Sequence, residues 1–184
     1  LIVFLAAHSV RIVAEDWRTR AIKRLGAHAW KGLYSLASLL GFGLIVWGYA
    51  LARMESGPVW HPPQWTRHVA ALLTIPAFVL LTAAYVPGNR IKAAVGHPMV
   101  LGVKIWALAH LIANGRLADL LLFGAFLIWA TFNYRAARAR DKRAGTRYAL
   151  APGRDAAVLI GGLVAWALFA LWLHRALIGV APFV

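Results

Sequence analysis

Long apolar runs alternate along this chain with short basic ones. A helix needs about 20 predominantly apolar residues to cross the hydrocarbon core of a bilayer. Six segments approach that length: Leu1 to Asp16, Leu33 to Arg53, Arg67 to Val86, Pro98 to Ala113, Leu117 to Tyr134 and Ala156 to Ile178. The pattern predicts an all-α fold, a polytopic transmembrane bundle of about six helices forming one domain over residues 1–184. The first and fourth segments are short and studded with polar residues. Leu1 opens an apolar run without the basic leader and small-residue cleavage pattern of a signal peptide, so it is read as a slightly trimmed first span.

The basic residues fall in alternate loops. Arg18, Arg20, Lys23, Arg24 and Lys31 lie in the first, Arg90 and Lys92 in the third, and Arg135, Arg138, Arg140, Lys142, Arg143, Arg147 and Arg154 in the fifth. The opposite side carries only Arg53, Arg67, Arg116 and Arg175. By the positive-inside rule the basic loops are cytoplasmic and both termini lie outside. The Pro-rich loop from Glu55 to Trp65, with its indoles, reads as an interfacial anchor. Ala37, Gly41 and Gly48 on the second span, and Gly161 and Ala165 on the sixth, are spaced for close helix approach. The stretch from Arg135 to Arg154 reads as a basic loop lying on anionic headgroups.

Composition sharpens this picture. Hydrophobic residues make up 61% of the chain and 9 of its residues are Trp, well beyond what a soluble domain uses, so an integral membrane protein is expected. The formal charge of +14 does not point to nucleic acid, because its basic residues cluster between apolar runs rather than on a soluble face. The absence of cysteine excludes disulfides, thiolate nucleophiles, iron–sulfur clusters and covalently attached haem. A metal is left with His, carboxylate or Met. There is no G-x-S-x-G elbow, H-E-x-x-H helix or Gly-rich phosphate loop. Only 6 acidic residues argue against a proton-pumping carboxylate chain.

Ionisable groups inside the apolar segments are costly and therefore candidates for function. The fourth segment carries His97, Lys104 and His110. His97 and Lys104, seven apart, share one helix face near the cytoplasmic mouth; His110 lies on another, with Trp106 and Asn114 four residues to either side. His110 sits about 18 Å of helical rise inside. On the first segment, which runs the other way, His8 lies about 15 Å from the cytoplasmic end. His8, Arg11 and Glu15 line one side of that helix, with Arg11 and Glu15 able to pair.

Two imidazoles at similar depth on oppositely directed helices suit a low-spin b-type haem, with Arg11 and Lys104 as partners for its propionates and Trp106 in the pocket wall. The alternative is that each histidine hydrogen-bonds a nearby backbone or hydroxyl group and holds no metal. His61, His68 and His174 all fall on the external side, where a small metal site is a weaker candidate. His28 is expected to be solvated in the first loop. Asn114 and Asp119 read as turn and cap residues around Asn114-Gly115-Arg116.

Several strings together resemble the NnrU family of bacterial membrane proteins. They are His8-Ser9-Val10-Arg11, Arg24-Leu25-Gly26 with Trp30-Lys31-Gly32-Leu33-Tyr34, Pro87-Gly88-Asn89, and Gly96-His97-Pro98-Met99-Val100-Leu101-Gly102 through Trp106-Ala107-Leu108-Ala109-His110 with Asn114-Gly115. The resemblance covers nearly the whole chain and implies a multi-pass protein of the bacterial inner membrane, associated with denitrification and nitrogen-oxide metabolism. That family is similar to zeta-carotene isomerase, a haem b membrane enzyme that isomerises a cis double bond. Carried over by position, the isomerase's haem-ligating histidines fall on His8 and His110, and a further histidine falls on His97. Where the isomerase has Arg-His-Pro, this chain has Gly96-His97-Pro98, and the region of the third span aligns only loosely. Three roles follow as expectations: a haem b protein with a redox or small-molecule role, a polyene isomerase, or an accessory subunit of a larger membrane complex.

Overall fold

The computed structural model describes residues 1–183 and, among them, is helical without strands. The chain divides into two compact units. The first comprises Leu1–Gly57 with Arg116–Ala118; the second comprises Pro58–Gly115 and the chain from Asp119 onward.

Three helices build the first unit: α1 (Ile2–Val13), α2 (Glu15–Leu25) and α3 (Ala27–Glu55). The expected run from Leu1 to Asp16 is broken at Ala14, whose backbone (φ −142°, ψ 43°) leaves the helical region. The first basic loop is therefore largely helical. Acidic Glu15 and Asp16 open α2 and basic Lys23 and Arg24 close it, matching the helix dipole at both ends. Helices α1 and α3 pack together, and Gly41 is where they touch: a Cβ there would stand 3.0 Å from the Cα of Phe4. Gly48, also expected at a helix contact, has nothing within 4 Å. Arg116 donates to the carbonyls of Arg53 (2.9 Å) and Ser56 (3.1 Å), covering the exposed end of α3.

The second unit is centred on α4 (Trp65–Tyr85), against which α6 (Pro98–Ala113) and α8 (Arg154–Leu168) pack. Small residues permit both approaches. A Cβ at Gly102 of α6 would come 2.9 Å from the Ala77 carbonyl, and one at Gly162 of α8 would come 2.7 Å from the Cα of Val79. Trp166 of α8 also donates its indole N–H to Thr74 Oγ1 of α4 at 3.0 Å. The short α5 (Arg90–Val95) links α4 to α6, and α7 (Leu117–Ala144) lays Phe123 and Phe126 against Trp106 of α6.

Helix α7 continues ten residues beyond the expected span end at Tyr134, so half of the expected basic loop is helical. Apart from Asp141 its extension is made of Ala, Arg and Lys, all strong helix formers, and it stops at Gly145. Beyond α8 the rod passes through a π-helical turn (Phe169–Leu173) into α9 (His174–Ile178).

Four helices are long and apolar enough to cross a membrane: Ala27–Glu55, Trp65–Tyr85, Leu117–Ala144 and Arg154–Ile178. The remaining apolar helices, Ile2–Val13 and Pro98–Ala113, are shorter. At 1.5 Å per residue Pro98–Ala113 reaches about 24 Å, against a hydrocarbon core of about 30 Å. These two short helices carry His8 and His110.

Candidate functional site

In the first unit, His8 lies mid-way along α1 and its Nδ1 is 2.8 Å from the carbonyl of Phe4, one turn back. A carbonyl oxygen only accepts, so Nδ1 carries a proton, and in the neutral ring the lone pair lies on Nε2. The Phe4 ring stacks on the imidazole at 4.1 Å, and Tyr34 of α3 approaches it at 5.3 Å. Ser9, next in the His-Ser string, turns its hydroxyl back to the Leu5 carbonyl at 2.7 Å. Arg11 pairs with Glu15 as its spacing predicts, at 3.5 Å, and Arg18 donates to the same carboxylate at 3.2 Å. The break at Ala14 does not separate that pair.

His110, in the second unit, repeats the arrangement of His8. Its Nδ1 is 2.8 Å from the carbonyl of Trp106, again one turn back, so its lone pair also lies on Nε2. Trp106 (4.9 Å) and Phe123 of α7 (4.6 Å) flank the ring. The predicted proximity of Trp106 and His110 is therefore present, with the Trp supplying both a ring and the carbonyl. Asn114 closes α6 by donating to the His110 carbonyl at 2.9 Å. The next residue, Gly115, accepts from the Val59 backbone N–H at 2.7 Å, and any Cβ on it would collide with the Trp60 carbonyl. The Asn-Gly string is thus a cap and a close approach, as read from the sequence. Lys104 is half-buried on α6.

At the other end of α6, His97 is the residue before Pro98, and its Nε2 lies 3.1 Å from Asp141 Oδ2. The same carboxylate accepts from the Tyr148 hydroxyl at 2.9 Å and has Arg138 Nη1 at 3.7 Å. Burial first, then the hydrogen bond to Asp141, push the Tyr148 phenol above its usual value of 10.0. Gly96 sits at φ +76°, and the Arg138 guanidinium occupies the space its Cβ would need. The left-handed backbone at this position favours glycine.

Pro87-Gly88-Asn89 is a structural string. Asn89, 1% exposed, donates to the carbonyls of Ala83 (2.9 Å) and Val86 (2.5 Å) and accepts from the Lys92 N–H at 2.6 Å. It thereby caps the end of α4 and the start of α5 together.

Several site neighbours were not legible in the sequence. Tyr34 lies beside His8, Phe123 beside His110 and Asp141 beside His97, all joined by packing between helices distant in the chain. His174, expected with His61 and His68, instead has its ring 6.5 Å from that of His110. Among the described residues no group of three or more His, Asp or Glu is arranged to hold a metal ion.

An all-helical chain with four helices of spanning length and 61% hydrophobic residues is a membrane protein. A family model for the NnrU protein matches residues 1–182, and the chain belongs to that family. No curated protein and no solved structure matches it.

Proposed function

We propose that this NnrU-family protein is a multi-pass protein of the bacterial inner membrane that binds haem b through His8 and His110. Its role in this reading is redox or small-molecule chemistry in nitrogen-oxide metabolism. One observation carries the proposal: both imidazoles are prepared in the same way. Each gives its Nδ1 proton to the carbonyl four residues back, at 2.8 Å, and each is flanked by aromatic rings. That hydrogen bond fixes the tautomer and ring orientation and makes Nε2 a better donor, which is how metal-ligating histidines are commonly supported. The donor set also suits haem iron, which His8 and His110 would hold through their imidazoles.

When bound, haem supplies an iron that changes oxidation state by one electron. The chain's residues do the rest. Phe4, Tyr34, Trp106 and Phe123 exclude water from the imidazoles, and Arg11 and Lys104 offer cations to the propionates. His97, with Asp141 beside it, stands about 20 Å of helical rise from His110 and supports the cytoplasmic end of α6. The basic segments face the cytoplasm and both termini lie on the periplasmic side, giving about six membrane segments.

The test is the absorbance spectrum of the full chain, purified in detergent and supplied with haem. A Soret band that is altered by His8→Ala and by His110→Ala, but not by His174→Ala, is expected. A spectrum without that band refutes the proposal, and equal effects from all three substitutions refute the ligand assignment.

A further inference from the structure

The basic end of α7 folds back on itself around a cavity. Gly145 at φ +59° reverses the chain; its N–H donates to the Lys142 carbonyl at 3.4 Å, and the Thr146 N–H donates to the Asp141 carbonyl at 3.0 Å. That pair of bonds is a Schellman closure, which satisfies carbonyls at the helix end without using side chains. The returning loop is then tied down twice. Tyr148 donates its hydroxyl to Asp141 Oδ2 at 2.9 Å, and the Ala151 N–H donates to the Gly88 carbonyl at 2.9 Å. Here lies a cavity of about 580 Å³, within the size range of small-molecule sites, and its polar lining is Arg138, Asp141, Lys142, Thr146 and Arg147.

That lining sets three cations against one carboxylate. The carboxylate is already engaged, with the Tyr148 hydroxyl on Oδ2, His97 Nε2 at 3.1 Å and Arg138 Nη1 at 3.7 Å. Among the described residues neither Lys142 nor Arg147 pairs with an acidic side chain. The helix dipole accounts for the cations in the last turn of α7, Lys142 and Arg143. It does not account for Arg147, which lies past the helix end and still lines the same cavity. Like charges gathered around one space repel, and an anion between them relieves that repulsion. Arginine offers a phosphoryl group two parallel N–H donors and lysine offers it a compact point charge.

We propose that this cavity binds a phosphomonoester, held by Lys142 and Arg147, with Arg138 and the Thr146 hydroxyl completing its polar wall. Such a group carries about −1.5 to −2 charges at neutral pH, which balances a lining with three cations and one carboxylate. The cavity has the volume of a small-molecule site, so it has room for the esterified alcohol as well as the phosphate. A soluble phosphate ester and the headgroup of an anionic lipid share this chemistry. The site stands apart from the haem reading and does not depend on it.

Thermal midpoints of the detergent-solubilised full chain, measured at constant ionic strength, test it, because a ligand of the folded state raises the midpoint as its concentration rises. Two probes are added separately: glycerol 3-phosphate, and dihexanoyl phosphatidic acid, which carries the same phosphomonoester on a lipid. A rise with glycerol 3-phosphate assigns a soluble ester, and a rise with phosphatidic acid alone assigns a lipid headgroup. Lys142→Gln/Arg147→Gln is expected to lose the rise. Arg135→Gln/Arg143→Gln, which removes as much charge from the same helix outside the lining, is expected to keep it. All four side chains are exposed, so both double variants should match the wild-type midpoint without a probe. No rise with either probe, a rise that survives in Lys142→Gln/Arg147→Gln, or an equal loss in the two double variants overturns the inference.

Discussion

Asn89 shows how much a single buried side chain can carry. Its amide satisfies two carbonyls and one backbone N–H, all at the junction of α4 and α5. Asn89→Ala leaves those groups without the side chain, and a buried unsatisfied polar group costs about 1–3 kcal/mol. The expected outcome is a loss of about 2–4 kcal/mol, read as a lower thermal midpoint of the detergent-solubilised protein; an unchanged midpoint contradicts the capping role. Residue-scale contacts were unevenly legible. Trp106 beside His110 and Arg11 beside Glu15 follow from spacing along one helix or across one turn. The approach of Asp141 to His97 crosses 44 positions of sequence, and no periodicity encodes it. The histidine hydrogen bonds fell between these cases. The sequence left a backbone partner and a metal as alternatives, and the structure gives His8 and His110 each a backbone partner through Nδ1.

At the scale of elements, hydrophobic runs located every apolar helix, because a segment that must sit in lipid has to be apolar along its length. They misjudged the ends. The extension of α7 to Ala144 is too basic to read as a span, yet Ala, Arg and Lys propagate a helix well in water. The π turn left no mark in the apolar run of α8, where one inserted residue changes register without changing hydropathy. Small residues were half-legible: Gly41 meets α1 as spaced, but on α8 the tightest approach is at Gly162, beside the expected Gly161. Gly162→Val therefore forces α8 away from Val79 and should cost about 1–3 kcal/mol. Gly48→Ala, with open space around it, should be neutral or raise the midpoint slightly. Paired thermal melts of these two variants check the packing, and equal losses would contradict it.

Tyr148 brings pH into the contact between α7 and the loop that follows it. Its folded-state pKa is raised, so its stabilisation is complete below the ordinary value of 10.0 and is lost as pH climbs through the higher folded value. Between those limits the unfolded phenol ionises while the folded one stays protonated against Asp141. Tyr148→Phe should remove this contribution, so its midpoint should fall less than that of the wild type as pH rises above 10.0. Parallel alkaline limbs in the two proteins would contradict the contact.

For the whole molecule, the absence of cysteine makes the proposed orientation directly measurable. Single cysteines can be introduced without background. In intact cells a membrane-impermeant maleimide should label Val59→Cys, in the outer Trp-rich loop, and should leave Arg143→Cys, at the basic end of α7, unlabelled until the membrane is opened. The reverse pattern would invert the topology. Family membership rests on a match over residues 1–182, and the histidines that drew attention in the sequence lie on the two short apolar helices. The central claim is that His8 and His110 hold one haem iron, and electron paramagnetic resonance of the ferric protein tests it most directly. The account predicts a low-spin signal from two axial imidazoles that His110→Ala abolishes; a protein without haem iron, or a low-spin signal untouched by His110→Ala, would contradict it.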